Sequence, residues 1–223
     1  MSMGYEDVIE NHRAILVEAG ATNVSAYIDK LCSNHNNNDV FADLLFEGRS
    51  ALMFLKNGFL VEMQESPDIN IGFAGYQLYA EVKHFRLKEQ DRIDQVNMEA
   101  FQDELIPYGD TVPSEVVAAW DQVVQVAKRK IKQYHKNAPY ILVIGSSSPN
   151  CIDDSIIRTA INIITEKISN GSWPQLKKLS GILLISPEYN IGGKRNVYFY
   201  YAHTVGNPLT QTIIEKLSSI QIG

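Results

Sequence analysis

The sequence predicts an α/β fold in which one mixed sheet is flanked by helices, and three observations carry that expectation. Segments with strand-like patterning alternate with segments of helical periodicity. The first three strand segments follow one another as a meander, whereas the later ones are separated by helices, which mixes hairpin and crossover connections. The chain has 223 residues, of which 45% are apolar, enough for one sizeable core and short for two. The expected organisation is therefore a single domain over residues 1–223 with a helical segment, 1–38, at its front, and no internal repeat or clean linker divides it.

In order, residues 5–18 and 22–33 read as two short helices, the second opening at Thr22 or Asn23, and the polar run 33–39 breaks the pattern. Apolar residues then recur at helical spacing over 40–56, with Asp39 as N-cap and Asn57-Gly58 as the stop. Residues 59–64, 69–73 and 76–83 read as strands, the last two joined by a tight reversal at Ala74-Gly75. A polar helical segment reaches about residue 104, and Pro107, Gly109 and Pro113 punctuate the stretch after it. Residues 114–135 form a stronger helical pattern: Val117, Trp120, Val124 and Ala127 mark an apolar stripe, and Lys128, Arg129, Lys130, Lys132 and Lys136 crowd the C-terminal end, where cations suit the helix dipole. A buried strand at 140–144, a polar loop at 145–150, a helix at 156–168, strands at 181–185 and 196–202 and a closing helix at 210–220 complete the order.

Composition narrows the function classes. The 20 Lys+Arg against 26 Asp+Glu leave a net charge of -6, which argues against a tight non-specific nucleic-acid binder. Cys32 and Cys151 lie far apart, with no CxxC pair or thiolate zinc cluster, so a reducing, cytoplasmic setting is expected. The acidic N-terminal residues do not read as a secretion signal, and no apolar run is long enough to suggest a membrane span. A P-loop, a dinucleotide fingerprint, a G-x-S-x-G elbow and an H-E-x-x-H helix are all lacking from the sequence.

The informative residues lie between positions 40 and 83. On the helix over 40–56, Val40, Leu44, Ala51, Phe54 and Leu55 define an inward face, and Glu47 falls three residues after Leu44 and four before Ala51, on that same face. In the strand over 76–83, Leu78, Ala80 and Val82 take one side, so Tyr79, Glu81 and Lys83 share the other. Burying an acid and a base on a central strand costs several kcal/mol, of order 3–5, unless they pair or hold a metal. Asp68, after Pro67, opens the preceding strand, and hairpin pairing brings it to the same end of the sheet as Glu81. Three carboxylates and a lysine suit Mg²⁺ or Mn²⁺ and the hydrolysis of a phosphodiester. The other reading is an exposed Glu81–Lys83 pair on an edge strand, with Glu47 bonded to Tyr79 or to backbone.

Glu47 on a helix, Pro67-Asp68 at a strand start, and Glu81-Val82-Lys83 on the next strand resemble the PD-(D/E)XK nuclease superfamily, with residues 40–86 as the motif core. The resemblance implies a restriction-endonuclease-like three-layer sandwich. It implies that Asp68 and Glu81 bind the catalytic Mg²⁺ or Mn²⁺, that Glu47 contributes to the metal or its water shell, and that Lys83 assists the attacking water. The implied activity is metal-dependent cleavage of nucleic acid, most readily as a DNA endonuclease of restriction, repair or defence type. A non-catalytic nucleic-acid-binding or assembly module that keeps this fold is the alternative from a different class, and an accidental motif on an unrelated α/β protein is the third.

Charge is unevenly spread. Residues 1–86 carry 6 basic against 12 acidic side chains, 87–137 carry 7 against 9, and 138–223 carry 7 against 5, so the acidity lies where a metal would offset part of it. Lys128, Arg129, Lys132, Lys194 and Arg195 are the candidate phosphate-facing residues, with Tyr198, Tyr200 and Tyr201 as aromatic neighbours. Solvated helix ends and ordinary strand filling are the competing reading of these residues. A homodimer would let one such surface per chain span both DNA strands, and a partner protein could deliver the substrate.

Overall fold

The computed structural model describes residues 4–85, 118–130, 138–146, 152–186, 197–202 and 209–221. Three helices come first, α1 (Tyr5–Glu18), α2 (Val24–Asn34) and α3 (Asn38–Lys56), followed by the meander β1 (Leu60–Met63), β2 (Ile69–Phe73) and β3 (Tyr76–Phe85). Then come α4 (Ala119–Lys130), β4 (Tyr140–Ser146), α5 (Asp154–Ser169), a 3₁₀ turn (Pro174–Lys178), β5 (Leu179–Ser186), β6 (Val197–Ala202) and α6 (Gln211–Ser218). The six strands form one open sheet in the order β1-β2-β3-β4-β5-β6. β1, β2 and β3 pair antiparallel, β3–β4 and β4–β5 pair parallel, and β6 returns antiparallel to β5.

The sheet separates two apolar layers. Leu78, Ala80, Ile141, Val143 and Leu183 face α1, α2, α3 and α6, where Leu16, Leu31, Phe54 and Ile213 pack. Tyr79, Tyr140, Leu142, Ile144, Ile182 and Leu184 face α4 and α5, meeting Val123, Ala127, Ile157 and Ile164. Every residue of β4 is buried, as expected of a parallel strand covered on both faces, and its sequence is correspondingly an apolar run. The helices of both crossovers, α4 and α5, lie on one face, the arrangement that consistently handed connections give when parallel strands are added in one direction.

Several local expectations are corrected. α3 is capped by Asn37, whose side chain accepts from the Val40 N–H, and not by Asp39. Its buried face comprises Phe41, Phe46, Glu47, Ser50, Ala51, Met53 and Phe54, whereas Val40 is exposed, its neighbour Phe41 being the first-turn residue that turns inward, against Tyr5 of α1. Asn23 sits at the start of α2 in the left-handed region, φ 55°, but it makes no cap; its amide donates to the Met63 carbonyl and ties α2 to β1. On α4, Trp120 is exposed and Val123, Val124, Val126 and Ala127 form the buried face. Tyr201 is buried, with the Arg158 guanidinium over its ring, so it is no platform for a nucleobase. The side chains of Tyr198 and Tyr200, and the expected polar helix before residue 104, lie outside the described residues.

Two close approaches fix α3. Gly48 admits α1 and α2, since a Cβ there would overlap His12 Nε2 and Tyr27 Oη, and Tyr27 donates a 2.8 Å hydrogen bond to the Leu44 carbonyl. Gly145 on β4 admits the Phe46 ring, which a Cβ would strike, and Phe46 in turn stacks on His84 with centroids 4.9 Å apart. Glu47 lies between these two confined positions, Phe46 and Gly48, and is buried.

Candidate functional site

The site forms where the antiparallel and parallel halves of the sheet part company. The β2–β3 ladder ends at Ile69↔Ala80, while β3 continues to Phe85 against β4 alone. The Val82 N–H, beyond the end of that ladder, donates instead to Asp68 Oδ2 at 2.7 Å. A side chain thus takes over from the strand, which satisfies the amide and fixes the carboxylate at once. The Ser66–Pro67 peptide is cis and immediately precedes Asp68.

Glu81, next on β3, has a side chain only 1% exposed. Its Oε2 accepts from Lys130 Nζ at 2.6 Å, and the same ammonium lies 3.9 Å from Asp68 Oδ2. Glu81 Oε1 has no hydrogen-bond partner, and neither has Glu47 Oε1. Glu47 reaches this region from α3 on the other layer and is 6% exposed. Burial raises its pKa, and the charges of Asp68 and Glu81 add to that, against the opposing pull of Lys30 and Lys130. Glu81 is likewise raised, first by burial and then by Asp68, with Lys130 working the other way. Burial by itself would lower the Lys130 pKa, but Asp68, Glu81 and Glu47 outweigh it and hold the ammonium above the ordinary lysine range.

Of the four expected site residues, Asp68 and Glu81 share the Lys130 ammonium, at 3.9 and 2.6 Å, and Glu47 is buried on α3, where the charges of Asp68, Lys30, Lys130 and Glu81 all act on it. Lys83 goes elsewhere. Its Nζ lies 3.6 Å from Asp43 Oδ2, one helical turn before Glu47, and His84 Nδ1 lies 3.7 Å from Asp43 Oδ1. Past the end of the β2 pairing no strand among the described residues covers that edge of β3, so a long side chain can turn round it toward α3 despite sharing strand parity with Glu81. Among the described residues no group of three or more His, Cys, Asp or Glu side chains is gathered as a ready metal cage.

Lys130 is the site residue that sequence reasoning passed over, counting it only within a basic helix end. The signal was present: Val123, Val126, Ala127 and Lys130 fall at i, i+3, i+4 and i+7, which continues the buried stripe of α4 into a charged residue. Lys128 and Arg129 fall off that stripe and are exposed, Lys128 lying over the Trp173 ring at 4.8 Å. Lys132, Lys194 and Arg195 lie outside the described residues. No helix among the described residues is long and apolar enough to cross a membrane. No protein-family model, curated protein or solved structure matches the chain.

Proposed function

We propose that this chain is a divalent-metal-dependent nuclease with a restriction-endonuclease-like fold, acting on DNA in restriction, repair or defence. The observation that carries the reading is the convergence of Asp68 and Glu81 on Lys130 at the end of β3, beside a buried Glu47 that feels both charges, with Glu81 Oε1 and Glu47 Oε1 left without hydrogen-bond partners. Such oxygens are costly to bury unless a proton or a cation neutralises them, and hard carboxylate donors fit Mg²⁺ or Mn²⁺. Asp68, Glu81 and Glu47 would hold the ion. Bound there, it would supply Lewis-acid polarisation of a phosphoryl oxygen and a more acidic water.

The chain's own groups have definable parts in this chemistry. The Val82 N–H orients Asp68, and the Lys130 ammonium holds Glu81 Oε2, so two of the three carboxylates are positioned before any substrate arrives. Lys83, 38% exposed at its side chain and linked to Asp43, is available to a phosphate approaching from solvent. Exposed Lys128 and Arg129 supply positive charge on the last turn of α4, the helix that also brings Lys130 to Glu81. A homodimer and a partner protein that delivers substrate remain part of the proposal.

One observation favours the non-catalytic alternative: Lys83, the expected helper of the water, pairs with Asp43 instead of sharing Glu81's surroundings. A cleavage assay on plasmid DNA and on RNA, with Mg²⁺ or Mn²⁺, separates the two. The expected result is metal-dependent cleavage by the wild type that is lost in Asp68→Ala and Glu81→Gln, with circular dichroism showing all three folded. Equal activity in the three proteins, or salt-sensitive binding without turnover in the wild type, overturns the catalytic reading.

A further inference from the structure

A lysine ammonium and a divalent ion compete for the same oxygens when both have the same carboxylates within reach. Lys130 Nζ lies 2.6 Å from Glu81 Oε2 and 3.9 Å from Asp68 Oδ2, and its side chain is 25% exposed against 1% for Glu81. Its position is set by α4, whose buried stripe of Val123, Val126 and Ala127 aims the last turn at the end of β3. Yet the ammonium satisfies the site incompletely. One positive charge serves both Asp68 and Glu81, and Glu47 Oε1 and Glu81 Oε1 stay without partners even with Lys130 in place. A doubly charged ion with six or more coordination positions could serve oxygens that a single ammonium cannot. Lys83 does not add to the neutralisation there, because Asp43 engages it.

We propose that Lys130 is a resident cation of the carboxylate site, which a divalent ion must displace from Asp68 and Glu81, and that the displaced ammonium stays beside the site as a positive group for the phosphate. The inference rests on the reading of this site as a metal site, and it gives Lys130 two opposed effects. Before metal arrives, the lysine offsets part of the repulsion among the carboxylates and opposes the ion's entry. After displacement, its partly exposed stem lets the charge move outward without unfolding α4. A purely structural ion pair would show neither competition nor displacement.

The test measures Mn²⁺ affinity by electron paramagnetic resonance of the free ion, using the full chain without nucleic acid. Lys130→Met and Lys130→Gln are expected to bind Mn²⁺ at least about tenfold more tightly than the wild type, because a nearby positive charge has been removed. Equal or weaker binding, or no binding by any of the three, overturns the proposal. The wild type supplies an independent measurement should the variants fail to fold: Lys130 acetylation, followed by mass spectrometry, is expected to quicken several-fold when Mn²⁺ is added, and an unchanged or slower rate overturns the displacement. Plasmid cleavage scored alongside keeps the two readings separable. Tighter Mn²⁺ binding by the variants without cleavage by the wild type upholds the competition and removes the nuclease. Cleavage with unchanged affinity and unchanged labelling removes the competition and leaves the nuclease.

Discussion

At the scale of single residues, Glu47 shows how a candidate site and a stability cost coincide. Burial, and then the charge of Asp68, push Glu47 up to about 8, and burial with Asp68 raises Glu81 to about 7. Between the ordinary carboxylate value of 4.5 and these raised values, the folded chain holds protons that the unfolded chain has released, so stability present below pH 4.5 is lost as the pH rises through 7 and 8. His12 opposes this near pH 6.5, since burial and Arg49 lower its pKa and low pH therefore works against the fold there. The difference between wild type and Glu47→Gln isolates the Glu47 part. The variant is expected to melt at least as high as the wild type at pH 8.5 without metal and to show a flatter pH dependence, while metal-dependent cleavage falls roughly 10–100-fold. Thermal melts from pH 5 to 9 check it, and a variant less stable than wild type at pH 8.5 counts against it. The burial of Glu47 and Glu81, and the placing of Asp68 at the same end of the sheet as Glu81, were legible in the sequence because helix period, strand parity and hairpin pairing are local rules. Lys83 was not, since parity names the face a side chain leaves from and does not say where a four-carbon stem ends once the neighbouring strand has stopped.

At the scale of elements, α3 is the part on which the site most depends. It is pressed between α1 and α2 through Gly48 and against β4 through Phe46 and Gly145. Gly145→Ala is expected to cost about 1–3 kcal/mol, because the added methyl must push the Phe46 ring out of a packed core, and with the ring goes its stack on His84. Gly48→Ala is expected to cost a similar amount, about 1–3 kcal/mol, by moving Tyr27 and His12 off α3. Urea denaturation measures both; a change below about 0.5 kcal/mol at either position would show that the helix is not so confined. The order of the described elements was legible because each keeps its period over several residues. Their edges were less so. The cap of α3 moved from Asp39 to Asn37, and β5 begins at Leu179, just after the 3₁₀ turn, where the expected strand began at 181. A polar run rich in Asn offers several equivalent caps, and tertiary packing chooses among them.

For the whole molecule, the net charge of -6 stands beside an exposed basic turn at Lys128 and Arg129. Binding of duplex DNA is accordingly expected to be weak at physiological salt and steeply salt-dependent. Replacing Lys128 and Arg129 together by Ala should reduce the magnitude of the log–log salt slope by about 2, as fluorescence anisotropy would report, and an unchanged slope would remove both residues from the phosphate path. The mixed sheet was predictable from the order of its elements, but the place where its two halves diverge was not, because the sequence does not say at which residue a strand loses a neighbour. That divergence leaves the Val82 N–H on a carboxylate instead of on a strand. An amide proton shared with a carboxylate resonates according to the charge on that carboxylate. The fold therefore carries its own spectroscopic gauge, a single backbone signal from β3 that follows the electrostatic surroundings of Asp68.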